Sequence, residues 1–214
     1  SFVPIAMEGL ERSFRCFFVE QSISFKSLKV YATPRRLALL VEQLPLWSSP
    51  LPSEKKGPPV GQCFGEHQAL LPAGAGFFRG LEISPPSLSE VMLGQHPQIS
   101  IRDIKGVPYL FGITVPQPQA TARLLERALP GLILGLEFPK KMRWNDEGTF
   151  FARPIRSLVA LLGREIIPFQ IGRVTSGRET FGHRQLSPGT LQIQHPQEYL
   201  SLLRDAEVIV DSEE

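Results

Sequence analysis

The chain has 214 residues, 42% of them hydrophobic, which is enough to bury a core for one large domain or two small ones and too much for an intrinsically disordered polymer. Its 23 Lys and Arg against 21 Asp and Glu leave a net charge of +2, so global charge alone does not argue for a polyanionic partner. Two cysteines, Cys16 and Cys63, exclude a disulfide framework and point to a reducing compartment, and no apolar run, Leu158 to Leu162 included, approaches the roughly 20 residues of a membrane span.

From Pro4 to about Gln21, Met7, Leu10, Phe14, Phe17 and Phe18 recur at spacings of three and four, which predicts an amphipathic helix. Leu28 to Ala32 and Leu37 to Leu44, joined at Thr33-Pro34-Arg35-Arg36, predict a hairpin. Residues 45 to 66 carry five prolines and three glycines and are expected to form a long loop. Short helices broken by glycines and by Pro85-Pro86 are expected over 67 to 95. A second hairpin follows, Ile99 to Ile104 and Tyr109 to Val115 around Lys105-Gly106. Ala122, Leu125, Leu129, Leu132 and Ile133 mark a helix between Gln119 and Leu136, kinked or broken at Pro130-Gly131. After a polar turn at Asn145-Asp146-Glu147-Gly148, a third hairpin is expected from Ser157 to Leu162 and Glu165 to Ile171. A strand at Thr190 to Gln194, a helix at Gln197 to Arg204 and a strand at Glu207 to Val210 complete the reading. Hairpins mixed with helices, without regular alternation, predict an α+β fold of mixed or antiparallel sheets, taken as one region over 1–214 with a subdivision near 136. A chain that opens on Ser1 and stops at Asp211-Ser212-Glu213-Glu214 reads as a piece of a longer protein.

No phosphate-binding glycine loop, dinucleotide turn or nucleophile elbow is present, and no carboxylate pair stands out beyond Asp146-Glu147, a solvated turn. Cys63 and His67 have a metal-compatible spacing but make half a site; the cysteines are expected to be buried apolar side chains, and no metal is expected. Charge distribution is more informative. Between Lys140 and Arg184 stand nine basic residues (Lys140, Lys141, Arg143, Arg153, Arg156, Arg164, Arg173, Arg178 and Arg184) against four acidic ones, a local +5 that leaves the rest of the chain at −3. Trp144, Phe150 and Phe151 are interleaved. Arginine forks with aromatics suit phosphate and base contacts, and they equally describe a solvated or internally paired face.

Smaller motifs carry the same two readings. Thr33-Pro34-Arg35-Arg36 carries two guanidiniums on a rigid turn; adjacent strand residues point to opposite faces, so only one is expected to reach phosphate, and the other reading is an arginine that satisfies carbonyls within the turn. Lys55-Lys56-Gly57-Pro58-Pro59 places two point charges on the expected loop. Arg153-Pro154-Ile155-Arg156 spaces its arginines three apart, and Gly182-His183-Arg184 joins an imidazole that is more often structural than catalytic to a guanidinium.

Taken in order, Tyr31-Ala32-Thr33-Pro34-Arg35-Arg36-Leu37-Ala38-Leu39, Lys56-Gly57-Pro58, Pro139-Lys140-Lys141-Met142-Arg143-Trp144, Phe151-Ala152-Arg153-Pro154-Ile155 and Gly182-His183-Arg184 resemble the amino-terminal part of the bacterial glycyl-tRNA synthetase beta subunit. The resemblance covers nearly the whole chain. Two departures stand out: the family's opening strand with its E-I-G-T-E-E-L-P segment is absent, and Gln185 stands where an aromatic usually follows G-H-R. The resemblance implies a cytoplasmic two-alpha, two-beta ligase, in some bacteria fused into one chain. Its alpha subunit holds the site for ATP, Mg and glycine, while the beta subunit serves recognition of glycine tRNA and assembly. It implies no catalytic residue, cofactor or membrane contact in this stretch. Lys140, Lys141, Arg143 and Trp144 become candidate tRNA contacts, with Trp144 either anchoring the loop or stacking. Arg35, Arg36, Lys55, Lys56, Arg153, Arg156, Arg178, His183 and Arg184 are secondary candidates. Two alternatives stand beside this: a module that docks the alpha subunit or the remainder of the beta subunit, and an editing-like domain similar to that of the phenylalanyl enzyme's beta subunit, acting on mischarged tRNA.

Overall fold

The computed structural model describes residues 3–145 and 148–211. In chain order the helices are α1 (Val3–Glu20), α2 (Val60–Cys63), α3 (Pro72–Gly80), α4 (Leu88–Met92), α5 (Thr121–Leu134) and α6 (Tyr199–Asp205). The strands up to residue 114 are β1 (Ser27–Thr33), β2 (Arg36–Glu42), β3 (Ser53–Pro59), β4 (Ile99–Ile104) and β5 (Val107–Thr114). Short strands follow: β6 (Met142–Arg143), β7 (Phe150–Phe151), β8 (Leu158–Val159), β9 (Leu161–Leu162), β10 (Glu165–Ile166), β11 (Gln170–Ile171), β12 (Val174–Gly177), β13 (Glu179–Phe181) and β14 (Thr190–Gln192). This is an α+β fold, as expected, and most of its strand pairs are antiparallel. The chain divides at two places, neither near 136. Ser1–Ser49 with Pro118–Glu214 form one unit and Pro50–Gln117 the other. A boundary at 136 fails because Leu136 is buried in the core that joins α1 to α5.

In the first unit, β1 and β2 form a hairpin whose two faces are both covered. The register pairs Leu28 with Val41 and Val30 with Leu39 on one face, and Tyr31 with Ala38 on the other. The first face packs on Leu10, Phe14, Phe17 and Phe18 of α1 and Leu125 and Leu129 of α5. The second packs on Ile193, Tyr199, Leu203 and Val210. Two covered faces explain why β2 reads as a nearly continuous apolar run without alternation. α1 is amphipathic as its spacing predicts, and the exposed Cys16 lies on its outer side, so only Cys63 is the buried thiol expected of both. α5 continues through Pro130 without a break.

The expected third hairpin is smaller than its sequence suggests. Only β9 and β10 pair across Gly163-Arg164, with Gly163 at φ 59. β8 runs parallel to β12, and β11 pairs with β12. Ser176 explains the interruption: its hydroxyl donates to the Ile167 carbonyl at 2.7 Å and accepts from the Phe169 amide at 2.8 Å, pinning the connecting segment to β12. The expected strand at 207–210 is not one among the described residues. Val208 donates instead to the Leu203 carbonyl at 2.9 Å and Val210 is buried beside α6. The tip Asp146-Glu147 of the polar turn lies outside the described residues.

In the second unit the strand order is β3-β5-β4, antiparallel throughout, with α2, α3 and α4 beside it. The β4–β5 hairpin turns at Lys105 and Gly106, both at positive φ as a two-residue hairpin loop requires. The expected loop over 45–66 is corrected here: residues 53–59 form β3 and 60–63 a helical turn. Proline is tolerated because β3 is an edge strand and its register shifts between Lys56 and Pro59, leaving Gly57 and Pro58 outside the regular pairing. A Cβ on Gly57 would stand 2.6 Å from the Phe77 ring, so the absent side chain is what lets β3 meet α3. Gly74 likewise allows α3 to approach the Cys63 carbonyl, and of Ala73-Gly74-Ala75-Gly76 it is the residue buried against α2, while Ala73 and Gly76 are exposed.

Candidate nucleic-acid interface

Lys140, Lys141 and Arg143 are exposed where the chain leaves the core and enters the β6–β7 pair. The anchor of this hairpin is aromatic. Phe138 and Phe151 meet edge to face, centroids 4.8 Å apart, and both pack with Trp144 against the α1–α5 core. Trp144 thus sits in the anchoring position, with its indole Nε1 buried and unpartnered among the described residues. Asn145 shapes the turn: its side-chain oxygen accepts from the Thr149 amide at 2.8 Å, its amide nitrogen donates to the Thr149 hydroxyl at 2.9 Å, and its carbonyl accepts from Arg143 Nε at 3.2 Å. The Lys141 ammonium lies 6.0 Å from the Phe138 centroid. Met142 and Phe150 remain about half exposed on this hairpin.

The other candidates divide by role. Arg35 is exposed at the tip of the β1–β2 hairpin. Arg36, one residue on, points inward and donates to the carbonyl of Phe181 and, at 3.5 Å, to that of Gly182. Burial beside Tyr199 lowers the guanidinium pKa and raises that of the Tyr199 phenol. Arg36 is therefore a strut between two hairpins. Arg178 is another, donating to Gln194 Oε1 at 2.8 Å and to the Arg164 carbonyl at 3.0 Å. Arg153, Arg156 and Arg184 are exposed.

The Gly182-His183-Arg184 corner has a local structural logic. A Cβ on Gly182 would stand 2.8 Å from the Ser187 carbonyl and 2.9 Å from the Ala206 methyl. His183 Nδ1 faces the amides of Gln185 and Leu186 at 3.4 and 3.2 Å as their acceptor, and its own amide donates to the Ala206 carbonyl at 2.8 Å. The imidazole shapes the corner. Lys55 and Lys56 lie in the other unit, on strand β3, a correction of the loop placement: the Lys56 ammonium lies 4.1 Å from the Tyr109 ring centroid. Cys63 is fully buried and burial raises its thiol pKa, while His67 is exposed at φ 57. Among the described residues no three His, Cys, Asp or Glu side chains converge, and no helix is long and apolar enough to cross a membrane.

Comparison with known proteins agrees with the family resemblance. The family described as glycyl-tRNA synthetase beta subunit matches residues 1–214. The chain is 41% identical to a glycine–tRNA ligase of Chlamydia muridarum, covering all of this chain and 21% of that protein. It is 37% identical to the glycine–tRNA ligase beta subunit of Desulforamulus reducens over 91% of this chain and 26% of the relative. It is 34% identical to that of Desulfitobacterium hafniense over all of this chain and 29% of the relative. The chain thus spans between a fifth and a third of the relatives it matches, and with a full-length family match it belongs to the glycyl-tRNA synthetase beta subunit family.

Proposed function

We propose that this chain is a non-catalytic portion of a cytoplasmic glycine-tRNA ligase that binds tRNA and supports subunit assembly during ATP-dependent charging. The observation that carries the reading is the cationic β6–β7 hairpin, with Lys140, Lys141 and Arg143 exposed on an aromatic anchor, in a chain of this family. Exposed cations on a fixed hairpin position a phosphate backbone at little ordering cost. ATP, Mg and glycine would belong to the alpha subunit or a fused alpha region. Titrating the ligase with glycine tRNA over a salt series tests it. Lys140→Gln with Lys141→Gln should weaken binding and reduce the slope of log K against log salt by about 1 to 2, leaving melting unchanged. An unchanged slope with intact melting would sink the assignment.

A second reading has its own support. Met142 and Phe150 are 50% and 53% exposed beside Arg143, a combination favoured at protein interfaces. In that case the same hairpin docks the alpha subunit. Loss of alpha-subunit co-purification on Phe150→Ser, with tRNA affinity of the separated beta subunit retained, would favour it.

A further inference from the structure

The three-stranded sheet of the second unit has one face in the core and one in solvent. Ile99, Leu110 and Gly112 line the inner face, where Leu81 closes on Gly112. On the outer face the register pairs Lys56 with Phe111 and Arg102 with Tyr109. The two aromatic side chains, partly exposed, stand two residues apart on the central strand, roughly 6.7 Å along it. Lys56 lies over the Tyr109 ring at 4.1 Å, and the Arg102 guanidinium carbon lies 4.8 Å from the Phe111 centroid. Arg102 continues across the central strand to a bidentate pair with Glu54, Nη1 to Oε2 at 3.0 Å. Glu54 is thereby matched, and Lys56 leaves the face positive.

We infer that this outer face is a stacking platform for unpaired nucleotides of an RNA, with Tyr109 and Phe111 receiving bases and Lys56 meeting a flanking phosphate. Two rings in line, each attended by a cation, match the alternation of π-faces and negative charge in an extended single strand. Aromatic and Arg side chains also serve protein interfaces, and what favours a polynucleotide here is the in-line spacing of two rings, each beside a cation. Residue charge, ring spacing and register together therefore select a polynucleotide. The inference rests on the tRNA-binding reading only for which RNA is met, because its residues lie in the other unit from Lys140 and Lys141.

The test is anisotropy of a labelled single-stranded RNA octamer against the full-length ligase, with an RNA duplex of equal length alongside. The octamer should bind more tightly than the duplex. Tyr109→Leu and Phe111→Leu should each cost about fivefold or more in octamer affinity, Lys56→Gln about two- to fivefold with a shallower salt dependence, and Lys140→Gln with Lys141→Gln less than about twofold. Full octamer affinity in leucine variants that melt like the parent overturns the inference while leaving tRNA binding at Lys140 and Lys141 intact. Retained octamer binding with unaltered tRNA binding in the lysine pair does the reverse. Should the leucine variants unfold, photo-crosslinking of a 4-thiouridine octamer to the unmodified ligase decides: adducts within residues 107–114 support it, and adducts confined elsewhere overturn it. Release of the alpha subunit by the leucine variants without an RNA effect also overturns it, making the face a subunit contact.

Discussion

Gly182 shows how much a single missing side chain governs. Its neighbours at 2.8 and 2.9 Å are a backbone oxygen and the methyl of a buried alanine, neither of which can swing away. Gly182→Ala is expected to destabilise the fold by about 1 to 3 kcal/mol in urea unfolding. Gly76 in α3 is the opposite case, with nothing within 4 Å of its ideal Cβ, and Gly76→Ala should stabilise by about 0.5 to 1 kcal/mol. The cysteines give a simpler contrast. Iodoacetamide should label exposed Cys16 in the native protein and reach Cys63 only on unfolding, because Cys63 is fully buried and burial raises its thiol pKa. The motif residues were visible in the sequence, but their division into struts and exposed cations was not. Arg35 and Arg36 are adjacent and chemically identical, and only the pairing of Thr33 with Arg36 decides which turns toward Phe181 and Gly182.

At the scale of the element, α4 is set by a reciprocal cap. The Ser87 hydroxyl accepts from the Glu90 amide at 3.3 Å and the Glu90 carboxylate accepts from the Ser87 amide at 2.8 Å. The bond from the Ser87 amide first, and then one from the Ser87 hydroxyl to the same oxygen at 2.8 Å, hold the Glu90 carboxyl below the usual carboxylate range. A folded-state pKa below the unfolded one contributes stability above the unfolded value and loses it as pH falls through the folded one. The melting advantage of the parent over Glu90→Gln should accordingly be present at pH 7 and shrink below about pH 4, as scanning calorimetry over a pH series would show. Helices with a clear apolar stripe, α1 and α5, could be read directly because periodicity records burial. The strand β3 could not: its two prolines and glycine are loop formers by propensity, and only the register shift and the Phe77 ring give them a place in an edge strand. The reverse holds for Glu207 to Val210, whose β-branched residues predict a strand that finds no partner strand among the described residues.

On the scale of the molecule, the second unit is inserted in sequence between Ser49 and Pro118 of the first, and the residues flanking the insertion pair with each other within the first unit. Ser48 donates its amide to the Gln119 carbonyl at 2.8 Å and accepts from the Gln119 amide through its hydroxyl at 2.9 Å, and Trp47 bridges to Ala120. Joining Ser49 to Pro118 through a short glycine-serine linker is therefore expected to leave the first unit folded, with a cooperative melt and the near-ultraviolet signal of Trp144 retained; an unfolded product would show that the first unit requires the second. The subdivision expected near 136 does not match this division. The actual division depends on contacts between distant residues, α1 with α5 above all, which composition does not record.

That insertion also sets an order of events during synthesis. The first unit's core unites Phe14 and Phe18 with Leu125, Leu129 and Ile171, so α1 has no complete partner until more than 150 further residues have been made, roughly 8 to 30 s at ordinary elongation rates. The second unit is continuous from Pro50 to Gln117 and holds its own core. The part that is inserted can thus finish folding before the part that hosts it, and the nascent amino-terminal helix, with its phenylalanines uncovered, is the stretch a ribosome-associated chaperone would meet.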